Sequence, residues 1–165
     1  MNVAFPPGYD PNGNLFVQGL NGSGSPTFVE SPAGSGGFTL LTGLNVGYPG
    51  TVQWDGFYIA VTDQAYNRTP TALYRVAVSG SQVTLVRTTE LDDDCLPGNL
   101  MIAVQPFING TTRRLNGVVS GNMARFHCVS FWNYASGGNP SRSLPESIAR
   151  LFAVGQSVSP LVSSR

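Results

Sequence analysis

His127 stands beside Cys128, and with Cys95 these are the chain's only imidazole and thiols. A structural zinc site draws four ligands from Cys, His and carboxylate groups, so a lone His-Cys pair does not make one. Acyl transfer also uses a histidine, beside a nucleophile. No G-x-S-x-G elbow accompanies His127, so it reads as a structural or exposed strand residue. Asp92-Asp93-Asp94 offers the hard oxygen ligands that Ca²⁺ takes. Adjacent side chains point in different directions, and the D-x-D-x-D-G spacing of a calcium loop is absent, so a solvated loop is expected. Cys95 and Cys128 are candidates for one disulfide, which would belong to an oxidising compartment; the alternative is two separate thiols. Arg113, Arg114 and Arg125 form the one basic cluster, without interleaved stacking aromatics. Formal net charge is zero, and no nucleic-acid partner is expected from such a balance. Trp54, Phe57, Tyr58, Phe131, Trp132 and Tyr134 would stack on a sugar if exposed in a groove, or fill a core if buried; core packing is the expected role.

These residues are positioned by a chain built for strands. Its 165 residues suffice for one domain with a sizeable core, so residues 1–165 read as a single repeat domain. Only 11% of residues are charged, while Gly (20) and Pro (12) are abundant, the composition of short strands joined by tight turns. No run of about 18 apolar residues is present, so no membrane span is expected. MNVAFPPGYD has neither a basic n-region nor an apolar h-region, so this chain is expected to carry no signal peptide of its own.

The strongest signal is repetition. An Asp/Asn-Gly turn leads into an apolar strand in Asp10-Pro-Asn-Gly-Asn-Leu-Phe-Val17, in Trp54-Asp-Gly-Phe-Tyr-Ile-Ala-Val61, and, lengthened, in Asn109 to Val119. The closing valines are 44 and then 58 residues apart. A second motif ends at Ala33, Val78 and Ala135, 45 and then 57 residues apart. Two motifs stepping together define three units of four strands, at 14–54, 57–107 and 113–158, with 1–13 as the end of a preceding unit plus a turn. The first unit then runs Asn14–Leu20, Thr27–Ser31, Phe38–Thr42 and Thr51–Trp54. The second runs Phe57–Asp63, Ala72–Val78, Gln82–Thr89 and Leu100–Phe107. The third runs Arg113–Ser120, His127–Tyr134, Pro140–Leu144 and Leu151–Val158. Four antiparallel strands every 40–50 residues is the period of a β-propeller blade. The expected fold is all-β, a partial propeller of about three blades, with a β-sandwich as the alternative.

Pro49–Gln64 (PGTVQWDGFYIAVTDQ), Leu73–Gly80 (LYRVAVSG) and Phe131–Pro140 (FWNYASGGNP) resemble bacterial NHL-like β-propeller proteins, mostly uncharacterised and exported. The resemblance covers nearly the whole chain, with Asp10–Val17 the closest match to the family pattern and the third unit the poorest. It implies an extracytoplasmic binding or scaffold module with no catalytic residue and no resident cofactor. Such rings usually have six blades. Three blades imply half of a longer protein, two copies closing a ring, or an open arc. Propeller ligands bind where inner strands end, which singles out Asn21, Asp63, Gln64 and Asn122. Related lactonase-type propellers hold a divalent cation with such oxygen ligands. A metal-dependent hydrolase remnant, with a cation such as Ca²⁺ on Asn21, Asp63 and Asn122, is therefore the alternative function, and a carbohydrate-binding β domain the second alternative.

Overall fold

A computed structural model describes residues 1–63, 71–91, 100–104, 118–122, 128–132, 138–139 and 142–145. Every regular element among them is a strand, so the protein is all-β. Asp10 opens the first long hairpin. Its Oδ1 accepts from the N–H groups of Asn12 and Asn14, both at 2.9 Å, and its backbone N–H donates to Asn14 O. This Asp-led turn feeds the chain from β2 (Gly8–Tyr9) into β3 (Leu15–Leu20). Asp55 does the same one repeat later. Its Oδ1 accepts from Phe57 N and Tyr58 N, at 2.9 and 2.8 Å, between β6 (Pro49–Trp54) and β7 (Ile59–Asp63). A short carboxylate that bonds the backbone two to four residues on is why aspartate serves at both turns.

Three antiparallel sheets result. Sheet 1 has the order β1-β3-β4-β5, where β1 is Val3–Ala4, β4 is Pro26–Ser31 and β5 is Thr39–Leu41; β2 also pairs with β3. Sheet 2 runs β6-β7-β8-β9, with β8 at Thr71–Ser79 and β9 at Gln82–Leu91. Sheet 3 runs β10-β11-β12-β13, at Leu100–Val104, Val118–Asn122, Cys128–Trp132 and Arg142–Pro145.

The pairing regroups the strands expected from the sequence. Thr51–Trp54, expected to finish the first unit, pairs with β7 through Trp54↔Ile59 and Val52↔Val61 and therefore begins sheet 2. Leu100–Val104, within the strand Leu100–Phe107 expected to finish the second unit, pairs with β11 and begins sheet 3. Asn2–Phe5, expected to close a preceding unit, supplies β1, which pairs with β3 in sheet 1. Each sheet is thus a complete meander, shifted one strand toward the N-terminus from the expected units. The expected fourth strand of the third unit, 151–158, lies outside the described residues.

Sheet 1 packs one face on sheet 2. Phe16, Phe28 and Leu41 from sheet 1 join Val52, Ile59, Val61, Val76 and Val83 from sheet 2 in a continuous core. Burying each such side chain contributes about 1.5–3 kcal/mol. The opposite face of sheet 2 is buried as well, at Ala60, Thr62, Leu73, Thr89 and Leu91. All five residues of β7 are buried, so this strand lies inside on both faces.

Two kinds of stitch hold sheet to sheet. At the leading edge, Pro6 and Pro7 interrupt the strand formed by β1 and β2, since proline has no N–H for the ladder. Pro6 O turns instead to accept from Val52 N at 3.1 Å. A bulge between Pro49 and Val52 of β6 frees the complementary donors, and Gly50 N donates to Gln18 Oε1 at 2.7 Å. The leading strands cluster together, with β6 lying against β2, β3 and β10. At the trailing edge, Thr42 bridges Gln82 in parallel, with Val83 N donating to Thr42 O at 2.7 Å. The stitch recurs one sheet later, where Leu91 bridges Gly138 in parallel and Gly138 N donates to Glu90 O at 2.8 Å.

Candidate functional site

The second strands of the three sheets end at comparable places. Leu20 pairs with Val3, Asp63 with Pro49, and Asn122 with Leu100, each at the start of the sheet's leading strand. Asn21 follows Leu20 directly. The topology therefore brings Asn21, Asp63 and Asn122 to the same end of their sheets.

Asp63 is the centre of this region. Its side chain is buried, and both carboxylate oxygens accept hydrogen bonds: Oδ2 from Gly47 N at 2.7 Å, Oδ1 from Tyr48 N at 3.0 Å, and Oδ2 from the Tyr74 hydroxyl at 3.2 Å. Gly47 and Tyr48 belong to the connection from sheet 1 into sheet 2. The ring of Tyr48 meets the edge of Phe5 at 5.9 Å, with the ring planes 79° apart. Asp63 thus latches the crossing between the sheets. Burial, and then the Asp63 carboxylate beside it, push the Tyr74 hydroxyl above its ordinary 10.0. Tyr74 is a protonated donor at neutral pH, not a base.

Asn21 is occupied locally. Its Oδ1 accepts from Ser23 N at 3.0 Å, Ser23 Oγ at 2.7 Å and Ser25 N at 2.9 Å, closing the loop between β3 and β4. Asn122 ends β11, and Gln64 lies outside the described residues. A buried polar seam joins β3, β6 and β7. Gln18, Thr51 and Thr62 are nearly inaccessible; Thr62 Oγ1 donates to Thr51 O at 3.1 Å, while Gln18 Nε2 has no partner among the described residues. No group of three His, Cys, Asp or Glu side chains suited to a metal ion occurs among the described residues.

Among the described residues the most buried charge is elsewhere. Asp55 is fully buried, and its Oδ2 accepts from Arg75 Nε at 2.5 Å. The Arg75 guanidinium also lies 5.0 Å from the centre of the Tyr58 ring. Trp54-Asp55-Gly56 is therefore a hairpin turn braced by an ion pair from β8. Arg75 was not among the candidates. The only sequence signal for it is an arginine in an otherwise apolar run, Leu73 to Val78, which calls for a buried anion. The aromatics divide: Trp132 is fully buried, Trp54 packs against the core, Tyr58 lies under Arg75, and Phe57 is exposed. Cys128 starts β12, whereas Cys95, Asp92–Asp94, Arg113, Arg114, Arg125, His127 and Tyr134 lie outside the described residues, and with Cys95 the candidate disulfide. No helix among the described residues is long and apolar enough to cross a membrane.

Comparison with known protein families, with curated proteins and with solved structures finds no match to this chain.

Proposed function

We propose that the chain is a stretch of an NHL-like β-propeller and serves as a non-catalytic scaffold or binding module of an exported bacterial protein. The observation that carries the fold is the recurring trailing-edge stitch. Thr42 with Gln82 and Leu91 with Gly138 relate sheet 1 to sheet 2 as sheet 2 is related to sheet 3. Repeated sheets that share one neighbour relation, with leading strands gathered together, follow the logic of blades around an axis. The exported character rests on the resemblance of Pro49–Gln64 and the segments that follow it.

The scaffold role is supported by the use made of the polar groups at the strand ends. Asp63 spends its oxygens on Gly47, Tyr48 and Tyr74, and Asn21 spends Oδ1 on its own loop. A Ca²⁺ site takes six to eight oxygen ligands and would have to displace these bonds. Thermal unfolding of the purified chain with millimolar Ca²⁺ and with EDTA tests the reading, alongside hydrolysis of a simple lactone. The expected result is an unchanged midpoint and no hydrolysis. A Ca²⁺-dependent rise in midpoint that Asp63→Asn abolishes would overturn it in favour of the lactonase-like hydrolase.

A further inference from the structure

We infer that Asn21-Gly22 is a self-modification site, at which the folded chain converts Asn21 to aspartate and isoaspartate while Asn12-Gly13 is spared. Both Asn-Gly pairs lie in solvent-facing turns of the described residues. Glycine after asparagine leaves its peptide nitrogen sterically open to attack the side-chain carbonyl. The two pairs differ in what holds the reacting groups. The Asn21 side chain folds over the Gly22 peptide, since its Oδ1 accepts from Ser23 N at 3.0 Å, Ser23 Oγ at 2.7 Å and Ser25 N at 2.9 Å. Gly22 N donates to no group among the described residues. The space around Gly22 is open: a Cβ there would meet nothing closer than Asn2 Nδ2 at 3.9 Å. At the other pair, Gly13 N donates to Asp10 O at 3.1 Å, and Asn12 Nδ2 lies 3.5 Å from the Asp10 carboxylate. There the nucleophile is tied into its turn, and a negative charge sits beside the carbonyl.

The chemistry follows from these contacts. Gly22 N gives its proton to a solvent base and bonds to Asn21 Cγ. The three donors already on Oδ1 take up the negative charge that develops there, as an oxyanion hole does. The Cγ–Nδ2 bond then breaks, Nδ2 takes a proton back from solvent and leaves as ammonia, and a succinimide remains. Water opens the ring at the side-chain carbonyl to give aspartate, or at the backbone carbonyl to give isoaspartate. Aspartate would add a carboxylate at the end of sheet 1 that corresponds to the place of Asp63 in sheet 2. Isoaspartate would lengthen the main chain by a methylene inside the loop closed by Asn21 N→Ser25 O at 2.9 Å and Gly24 N→Asn21 O at 3.0 Å. For Asn12-Gly13 the same attack must first break Gly13 N→Asp10 O, and the developing charge is opposed by the Asp10 carboxylate.

The test is peptide mapping of the whole folded chain after incubation in mildly alkaline buffer, with isoaspartate counted by enzymatic methylation, beside the same chain in guanidinium chloride. In the folded chain, conversion at Asn21 should exceed conversion at Asn12 by about 10-fold or more, because one backbone bond need not break and the donors on Oδ1 strengthen in the transition state. In the unfolded chain the two pairs should react at similar rates. A folded chain with equal conversion, or with Asn12 ahead, would overturn the inference, and so would the same bias after unfolding. Ser23→Ala removes one donor from Oδ1 and should slow Asn21 by about 5-fold while Asn12 is unchanged; an unchanged or faster Asn21 would refute the site. Gly22→Ala, where a Cβ has room, should keep the urea midpoint and suppress isoaspartate at Asn21. Isoaspartate forming there at the unsubstituted rate would exclude the succinimide route.

Discussion

Gly43 marks the trailing-edge stitch most sharply, and replacing it with alanine isolates the energy of that contact. Its φ is 100°, in the left-handed region, and a Cβ there would lie 2.5 Å from Val83 O. That oxygen is backbone in β9, so it cannot swing aside. Moving it to ordinary contact distance pulls apart Val83 N→Thr42 O at 2.7 Å and Thr42 N→Ser81 O at 2.9 Å. Two such bonds contribute about 1 kcal/mol each, and the left-handed backbone costs alanine about 1–2 kcal/mol more. Stiffening of the unfolded chain returns about 0.4–1 kcal/mol. Gly43→Ala should therefore lose about 2–4 kcal/mol. Gly80 is the control: its φ is 58°, and a Cβ there meets nothing within 4 Å. Gly80→Ala carries the same backbone and unfolded-state effects without the contact, and should lose about 0–1.6 kcal/mol. Equilibrium urea unfolding of both variants measures the difference. If the two losses agree to within about 0.5 kcal/mol, Gly43 does not press on β9 and the stitch is misassigned.

The two Asp-led turns should respond unequally: Asp55→Asn strands Arg75 beside a buried amide and should cost about 2–4 kcal/mol, whereas Asp10→Asn, in a more open turn, should cost about 1 kcal/mol or less, both read from urea unfolding. Burial, and then Asp10 nearby, raise Glu30 above its ordinary 4.5. The contribution of Glu30 is therefore fully present below about pH 4.5 and is lost as pH rises through its folded value. Glu30→Gln should raise the urea midpoint at pH 7, and this gain should vanish near pH 3.5. Tyr74 is likewise raised, above 10.0, so its contribution holds below pH 10 and is lost as pH rises through the higher folded value. Tyr74→Phe should flatten the alkaline fall in thermal midpoint above pH 10.

Most of the strands were legible because apolar runs and Gly turns mark them locally: Leu15–Leu20, Ile59–Asp63 and Thr71–Ser79 fall within a residue or two of the expected spans. The phase of the repeat was not. Two repeating motifs fix a period, but either side of Asp55-Gly56 could have been the seam. The structure puts a tight hairpin there, held by Asp55, and makes Gly43–Tyr48 the crossing between sheets. That crossing depends on Gly43 meeting Val83 and Asp63 meeting Gly47, contacts between distant residues that local pattern does not encode. At the candidate site, Asp63 was legible as a polar group closing a strand, but that strand is the second of its sheet and not the leading one, because the units are shifted by one strand. Its partners Gly47, Tyr48 and Tyr74 were not, because a loop and a neighbouring strand supply them.

One relation between neighbouring sheets occurs twice in the molecule. Hydrogen exchange resolved by amide measures it directly. Val83 N–H and Gly138 N–H, which donate across the two seams, should be protected nearly as well as the interior amides of β7 and β8. If those two exchange at open-loop rates while β7 and β8 stay protected, the sheets are not stitched to one another and the repeat architecture is contradicted.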